Sequence, residues 1–301
     1  MKVYLSSIIA GFIITLLTSL MILHNSKTNL VVHIKPELAD VQSRKEGTPS
    51  SGGIAFCVGS TVASLFFGVN SVLLLGMWMF ALIGFWDDME KTHTLNGDGL
   101  TPMIKMLLQL LCSATTVMAL YLTHSLNTQL FGHDWNRFYY FFAVFYIVFF
   151  VNAVNITDGL DGLAALVTLV PLILLAIING NTFLYAFIGS LLAFLLFNLK
   201  PAKYFMGDCG SHAIGAVLAI SALLDKSELI TLLSSSVLVI ELLSSLVQII
   251  SIRTFGKRVF SIAPLHHAFE KKGIGESSIV AGFALASVAL SLVAFALWLR
   301  G

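Results

Sequence analysis

Two adjacent aspartates, Asp87 and Asp88, close an apolar run in the stretch Gly84 to Asp88 (GFWDD). Neighbouring carboxylates repel, so both keep their charge only beside a cation, a metal or ample water. A solvated helix end is the plain alternative. A second acidic stretch, Asn152 to Leu163 (NAVNITDGLDGL), lies between the apolar runs 138–150 and 163–178. Polar groups at the mouth of two hydrophobic segments are costly to desolvate, so they need a partner or a task. Taken alone, this stretch reads equally well as a capped helix–helix turn, with Asp158 or Thr157 capping the next helix and glycines supplying positive φ.

Three further stretches carry unusual chemistry. Arg44 to Gly53 (RKEGTPSSGG) places Lys45 and Thr48 before a glycine- and serine-rich helix entry, where backbone N–H groups could hold phosphate oxygens. It lacks a Walker pattern, and a plain turn fits it as well. Phe205 to Ser211 (FMGDCGS) sets Asp208 between glycines, with Lys200 and Lys203 upstream and Cys209 as a small filler. Ala263 to Glu270 (APLHHAFE) carries His266 and His267 on a loop that follows Arg253, Lys257 and Arg258.

The elements that must position these groups are membrane helices. Hydrophobic residues are 57% of the 301 and charged residues 11%, with a mean hydropathy of +0.90. Soluble domains carry about 25% charged residues. A helical span needs roughly 20 apolar residues, somewhat fewer if broken or buried. Ten such runs are present, at 3–23, 53–69, 71–86, 103–123, 138–153, 163–178, 182–199, 211–225, 228–252 and 279–299. The second and third are separated only by Gly68 and Asn70. The expectation is an all-α, polytopic membrane protein forming one domain over 1–301, with 3–23 a permanent first span rather than a cleaved leader. Three cysteines, Cys57, Cys112 and Cys209, give neither a disulfide framework nor a metal-ligand spacing.

Charge sorts by side. Loops after odd-numbered spans, with Lys105 at the foot of the fourth, hold 13 of the 17 lysines and arginines. The positive-inside rule makes that side cytoplasmic and both termini extracytoplasmic. Twelve of the 16 acids fall on the same side, which the rule does not require. A transporter would instead place acids near the bilayer midplane, where only Glu241 lies. The inventory is oxygen ligands, cations and histidines at one membrane boundary. Oxygen ligands suit Mg²⁺, and Mg²⁺ with cations is what phosphoryl transfer uses to neutralise charge. A soluble phosphorylated donor and a lipid phosphate acceptor can meet only at such a boundary.

At these motifs the chain resembles the polyprenyl-phosphate N-acetylhexosamine-1-phosphate transferases, and most closely the phospho-N-acetylmuramoyl-pentapeptide transferases (MraY). The matching pieces are Gly47-Thr48-Pro49 with Gly52-Gly53, Asp87-Asp88, NAVNITDGLDGL at 152–163, Pro201-Ala202 with FMGDCGS at 205–211, and APLHHAFE at 263–270. The resemblance implies transfer of phospho-N-acetylmuramoyl-pentapeptide from UDP to undecaprenyl phosphate at the cytoplasmic face of a bacterial plasma membrane. It implies Mg²⁺ held by Asp208 with Asn155 as a second ligand, Asp87 as base toward the lipid phosphate, and Asp88 beside it. Asp158, Gly159, Leu160, Asp161, Asn198 and Phe205 would line the uridine and diphosphate site, Phe205 stacking on uracil. His266 and His267 would contact the donor, and Lys45, Thr48 and Lys105 would bind substrate. The implied partners are the nucleotide donor, the polyprenyl phosphate and membrane lipid, with no nucleic acid and with a homodimer as a possible assembly. Glu241 matches a glutamate of the family's ninth helix and reads as a structural partner.

The chain departs from the pattern in places. His266-His267-Ala268 replaces three histidines, Ile274 replaces a tryptophan, Ser50-Ser51 replaces Thr-Met, and Cys209 and His212 replace Thr and Leu. The histidine loop is tied to the sugar-peptide, so another donor, UDP-N-acetylglucosamine, stays open. So does the choice between direct attack by the lipid phosphate and a covalent intermediate on Asp87.

Overall fold

The computed structural model describes residues 1–24, 48–50, 52–94, 98–123, 125–130 and 133–300. All ten apolar runs are helices. In chain order they are α1 (Lys2–His24), α2 (Gly52–Phe67), α3 (Ser71–His93), α4 (Pro102–Leu122), α5 (Arg137–Thr157), α6 (Leu163–Asn179), α7 (Thr182–Asn198), α8 (Gly207–Leu224), α9 (Glu228–Ser234) with α10 (Ser236–Phe255), and α12 (Glu276–Trp298). A short α11 (Leu265–Lys271) precedes α12, and a two-residue hairpin, β1 (Gln129–Leu130) with β2 (His133–Asp134), separates α4 from α5. Seven of these helices (α1, α3, α4, α5, α8, α10 and α12) are long and apolar enough to cross a membrane, and α2, α6 and α7 are shorter apolar helices. The protein is a multi-pass helical membrane protein.

Two boundaries differ from the sequence expectation. The ninth run is broken at Ser235 into α9 and α10. Three consecutive serines explain the break: Ser234 Oγ donates to Thr231 O (3.2 Å) and Ser236 Oγ to Leu233 O (2.7 Å), competing for carbonyls that a continuous helix would use. The eighth run begins at Gly207, four residues before the expected start, so Asp208 and Cys209 lie in the first turn of a helix and not in a loop.

α8 is the axis of the bundle. Its residues from Cys209 to Leu223 are buried, as those of a helix surrounded by other helices must be. α3 and α5 pack along it. α1 is held at the side by small polar residues. Ser7 Oγ donates to Thr182 O (2.9 Å), Ser190 Oγ to Gly11 O (3.2 Å), and Ser19 Oγ meets Tyr204 OH (2.5 Å). In a membrane such small-residue contacts substitute for the hydrophobic drive between helices.

Candidate active site

The ends of α3 and α5 and the start of α8 meet at one end of the bundle. The N-terminus of α8 has no side-chain cap of its own. Asp88 of α3 supplies one, accepting the N–H groups of Asp208 (3.0 Å) and Cys209 (3.1 Å). A carboxylate there satisfies orphan donors and meets the positive end of the helix dipole. Gly207 turns into α8 at φ +68°, and a Cβ there would collide with the Asp88 carboxylate. The glycine before Asp208 is therefore what lets the two helices approach.

Asp87, Asp88 and Asp208 bring carboxylate oxygens within 4.8 Å of one another. Two lysines sit among them. Lys91 Nζ lies 2.7 Å from Asp87 Oδ2, 3.0 Å from Asp208 Oδ1 and 3.8 Å from Asp88 Oδ1. Lys105 Nζ pairs with Asp208 and lies 3.5 Å from Asp87 Oδ2. Asp87 Oδ1 also accepts the Leu100 N–H at 2.8 Å. Asp87 and Asp88 are buried, which is tenable only because cations and backbone donors offset their charge. Asp87, Asp208, Lys91 and Lys105 line a cavity of about 450 Å³ together with Gly99, Leu100, Gln109, Asn152 and Asn155. Asn155 Nδ2 donates to Ser211 Oγ (3.0 Å), which leaves its Oδ1 for a cavity occupant. Among the described residues this is the acidic cluster that could hold a metal ion. Its donors are oxygens throughout, as a hard cation requires. Two ammonium groups against three carboxylates leave one negative charge and the Asn155 oxygen, a set that fits a divalent cation.

Beyond this cavity, the 158–162 loop is pinned to its neighbours. Asp158 ends α5, its N–H donating to Val154 O (3.1 Å) and Asn155 O (3.3 Å). Asp161 N–H donates to Glu276 Oε1 (2.9 Å), and Asp161 Oδ2 accepts the Ala202 N–H (3.0 Å). Asn198, buried, accepts the Gly162 N–H (3.1 Å) and donates to Tyr204 O (3.1 Å). Lys200 pairs with Glu276 at 2.9 Å. His266 is fully buried: Glu241 Oε2 lies 2.6 Å from its Nδ1, and Glu241 Oε1 accepts its backbone N–H (3.2 Å). Its ring abuts Gly159, where a Cβ would collide with it. His267 meets Glu270 Oε2 at 2.7 Å and its ring lies 4.2 Å from that of His266. Burial, and then His266, hold the His267 imidazole below the usual histidine range.

Several residue-level expectations change. Neither Asp158 nor Thr157 caps α6; its first residue follows Gly162 at φ +78°, and Thr157 Oγ1 donates to Ala153 O (2.7 Å). The amides of Gly52 and Gly53 are not free for phosphate, because they donate to Phe205 O (2.8 Å) and Met206 O (3.0 Å). Asn198 and the Leu160 side chain are buried in the protein, and Asn198 braces the loops through Gly162 and Tyr204. His266 turns inward to Glu241. Phe205 and Thr48 are half-buried at this end, and Lys45 lies outside the described residues. Lys91 and Gln109 are site residues that sequence reasoning passed over. Lys91 carried a signal, its i,i+4 spacing from Asp87; Gln109 sits within an apolar run and carried none.

An acid-and-lysine site at one end of a multi-pass helical bundle is the pattern of a membrane enzyme that handles phosphate, and residues 70–225 match the family described as glycosyl transferase family 4. The chain is 38% identical over 269 residues to a phospho-N-acetylmuramoyl-pentapeptide-transferase of Thermotoga maritima, covering 87% of this chain and 88% of that one. It is 36% identical over 312 residues to that of Clostridium perfringens, covering 98% of each, and 34% identical over 304 residues to that of Halalkalibacterium halodurans, covering 94% and 93%. The chain belongs to the phospho-N-acetylmuramoyl-pentapeptide transferase family.

Proposed function

We propose that the protein transfers phospho-N-acetylmuramoyl-pentapeptide from its UDP carrier to undecaprenyl phosphate, releasing UMP. The observation that carries this reading is the single cavity shared by Asp87, Asp208, Lys91 and Lys105, with the Asp88 carboxylate beside it. Three carboxylates can hold a divalent cation, and two lysines can receive diphosphate oxygens once that cation takes their place. Mg²⁺ is the ion that suits the donor set, held by Asp208 and Asp87 with Asn155 Oδ1, and when bound it would neutralise charge on the diphosphate.

In the direct route an oxygen of the lipid phosphate forms a bond to the sugar-linked phosphorus while the bond from that phosphorus to UMP breaks. A phosphomonoester with a second pKa near 6 is already largely dianionic at neutral pH. The need for Asp87 as a base is therefore modest, which favours this route over a covalent intermediate. Lys91 and Lys105 offset charge on the leaving UMP.

The site lies on the cytoplasmic face of a bacterial plasma membrane, in a single domain spanning 1–301 with ten crossings and both termini outside. The charge asymmetry of the loops supports this orientation. A homodimer is compatible with the reading. The altered histidine loop favours one second reading, the same reaction with UDP-N-acetylglucosamine. UMP release measured on both donors, with and without undecaprenyl phosphate, tests donor and route together. Release that needs both the muramoyl donor and the lipid supports the proposal; release on the other donor alone contradicts it. Release before lipid is added indicates a covalent intermediate.

A further inference from the structure

We infer that His212 is a positioning residue: acting through Gln109, it joins the Val148 carbonyl in fixing which atom of Asn152 faces the cavity. The inference rests on the transferase reading above.

The carbonyl of Val148 can only accept, so the Asn152 side-chain atom 2.8 Å from it is the amide nitrogen. That same nitrogen lies 2.7 Å from the Gln109 side chain, so the Gln109 atom there must be the oxygen. The other Gln109 amide atom, Nε2, is then a donor, and it lies 3.0 Å from His212 Nε2. His212 Nε2 must therefore accept, which makes the imidazole neutral and puts its proton on Nδ1. Both Asn152 amide hydrogens are used, leaving Oδ1 as the polar atom of that side chain open to the cavity it lines.

The chain has a definite place in the fold. His212 lies one turn beyond Asp208 on α8, Gln109 one turn beyond Lys105 on α4, and Asn152 one turn before Asn155 on α5. It is the layer directly beneath the cavity groups, on the same three helices. Gln109 and His212 are buried, and the polar partners of the His212 ring are the Asp208 backbone and the Gln109 side chain. Burying a polar imidazole costs desolvation that leucine would avoid. A histidine kept there must hold something, and the geometry names Gln109.

Five forms of the full-length protein in micelles test this: wild type, His212→Leu, His212→Gln, Gln109→Leu and the double variant Gln109→Leu/His212→Leu. His212→Leu is expected to lower kcat about ten-fold while KM for the donor stays within about two-fold. His212→Gln is expected to recover the rate to within about three-fold, because its Oε1 can accept where Nε2 did. The double variant is expected to be no slower than Gln109→Leu alone. Equal losses in His212→Leu and His212→Gln, no loss in His212→Leu, or additive losses in the double variant would overturn the inference. The ¹⁵N spectrum of histidine-labelled protein reads the tautomer without substrate: protonated Nδ1 with bare Nε2 is expected, and protonated Nε2 refutes the hydrogen-bond chain. Should wild type release no UMP from any donor, the transferase reading falls, while the spectrum still decides the arrangement.

Discussion

Asp88 caps a helix to which it does not belong: its two carboxylate oxygens take the N–H groups of Asp208 and Cys209 at 3.0 and 3.1 Å. The last turn of α3 thereby fixes where α8 starts, and with it where Asp208 points. The adjacent aspartates divide the work, Asp87 facing Lys91 and Lys105, Asp88 facing the backbone of α8.

Asp88→Asn keeps one acceptor, loses the other and removes the charge at the helix N-terminus. It is expected to lower stability by about 1 kcal/mol and to reduce activity, whereas Asp208→Asn is expected to reduce activity without that loss. Thermal unfolding in micelles separates the two; equal melting temperatures for Asp88→Asn and wild type would show that the cap is idle.

Lys91 bridges all three carboxylates. Lys91→Met is expected to lower kcat/KM of the folded protein about 100-fold, the scale of losing one group that stabilises transition-state charge. A variant with near-normal kcat/KM would remove Lys91 from the site.

Glu241 and His266 form a fully buried pair. Glu241→Ala leaves His266 without its partner in the interior and is expected to cost about 3 kcal/mol. Glu241→Gln keeps the shape, loosens the ring against Gly159, and should raise the donor KM more than it lowers kcat. Unfolding curves and steady-state kinetics on the two variants check both statements, and an unchanged KM in Glu241→Gln would detach His266 from donor binding.

His267 has a depressed pKa in the folded protein, so the unfolded chain takes up a proton that the native one refuses. Its contribution to stability is complete above about pH 6.5, the ordinary histidine value, and is lost as the pH falls below it. Melting temperatures between pH 5 and 8 should show that slope, and His267→Gln should flatten it; an identical slope in the variant would assign it to other groups.

What was legible in the sequence were residue types gathered in loops. Asp87-Asp88, NAVNITDGLDGL and FMGDCGS announced themselves because acids and amides are expensive beside apolar runs. Their roles were less legible. Asp88 as a cap depends on α8 starting four residues earlier than its hydropathy suggests, and Asn198 as a brace depends on a partner thirty-six positions away, at Gly162. Gln109 and His212 lie inside apolar runs, where one polar residue does not disturb the hydropathy, and only the packing of α4 against α5 and α8 pairs them. Lys91 was passed over because its contact with Asp208 crosses from α3 to α8.

The central claim is that the cluster of Asp87, Asp88 and Asp208 carries out Mg²⁺-dependent transfer to a lipid phosphate. The most direct measurement is UMP release from the UDP-muramoyl-pentapeptide donor with undecaprenyl phosphate, comparing wild type with Asp208→Asn across a Mg²⁺ titration, with thermal unfolding of both proteins alongside. The account predicts Mg²⁺-dependent release by wild type and a loss of at least about 1,000-fold in a folded Asp208→Asn. Full activity in that variant, or undiminished wild-type release with the divalent cation chelated, would contradict it.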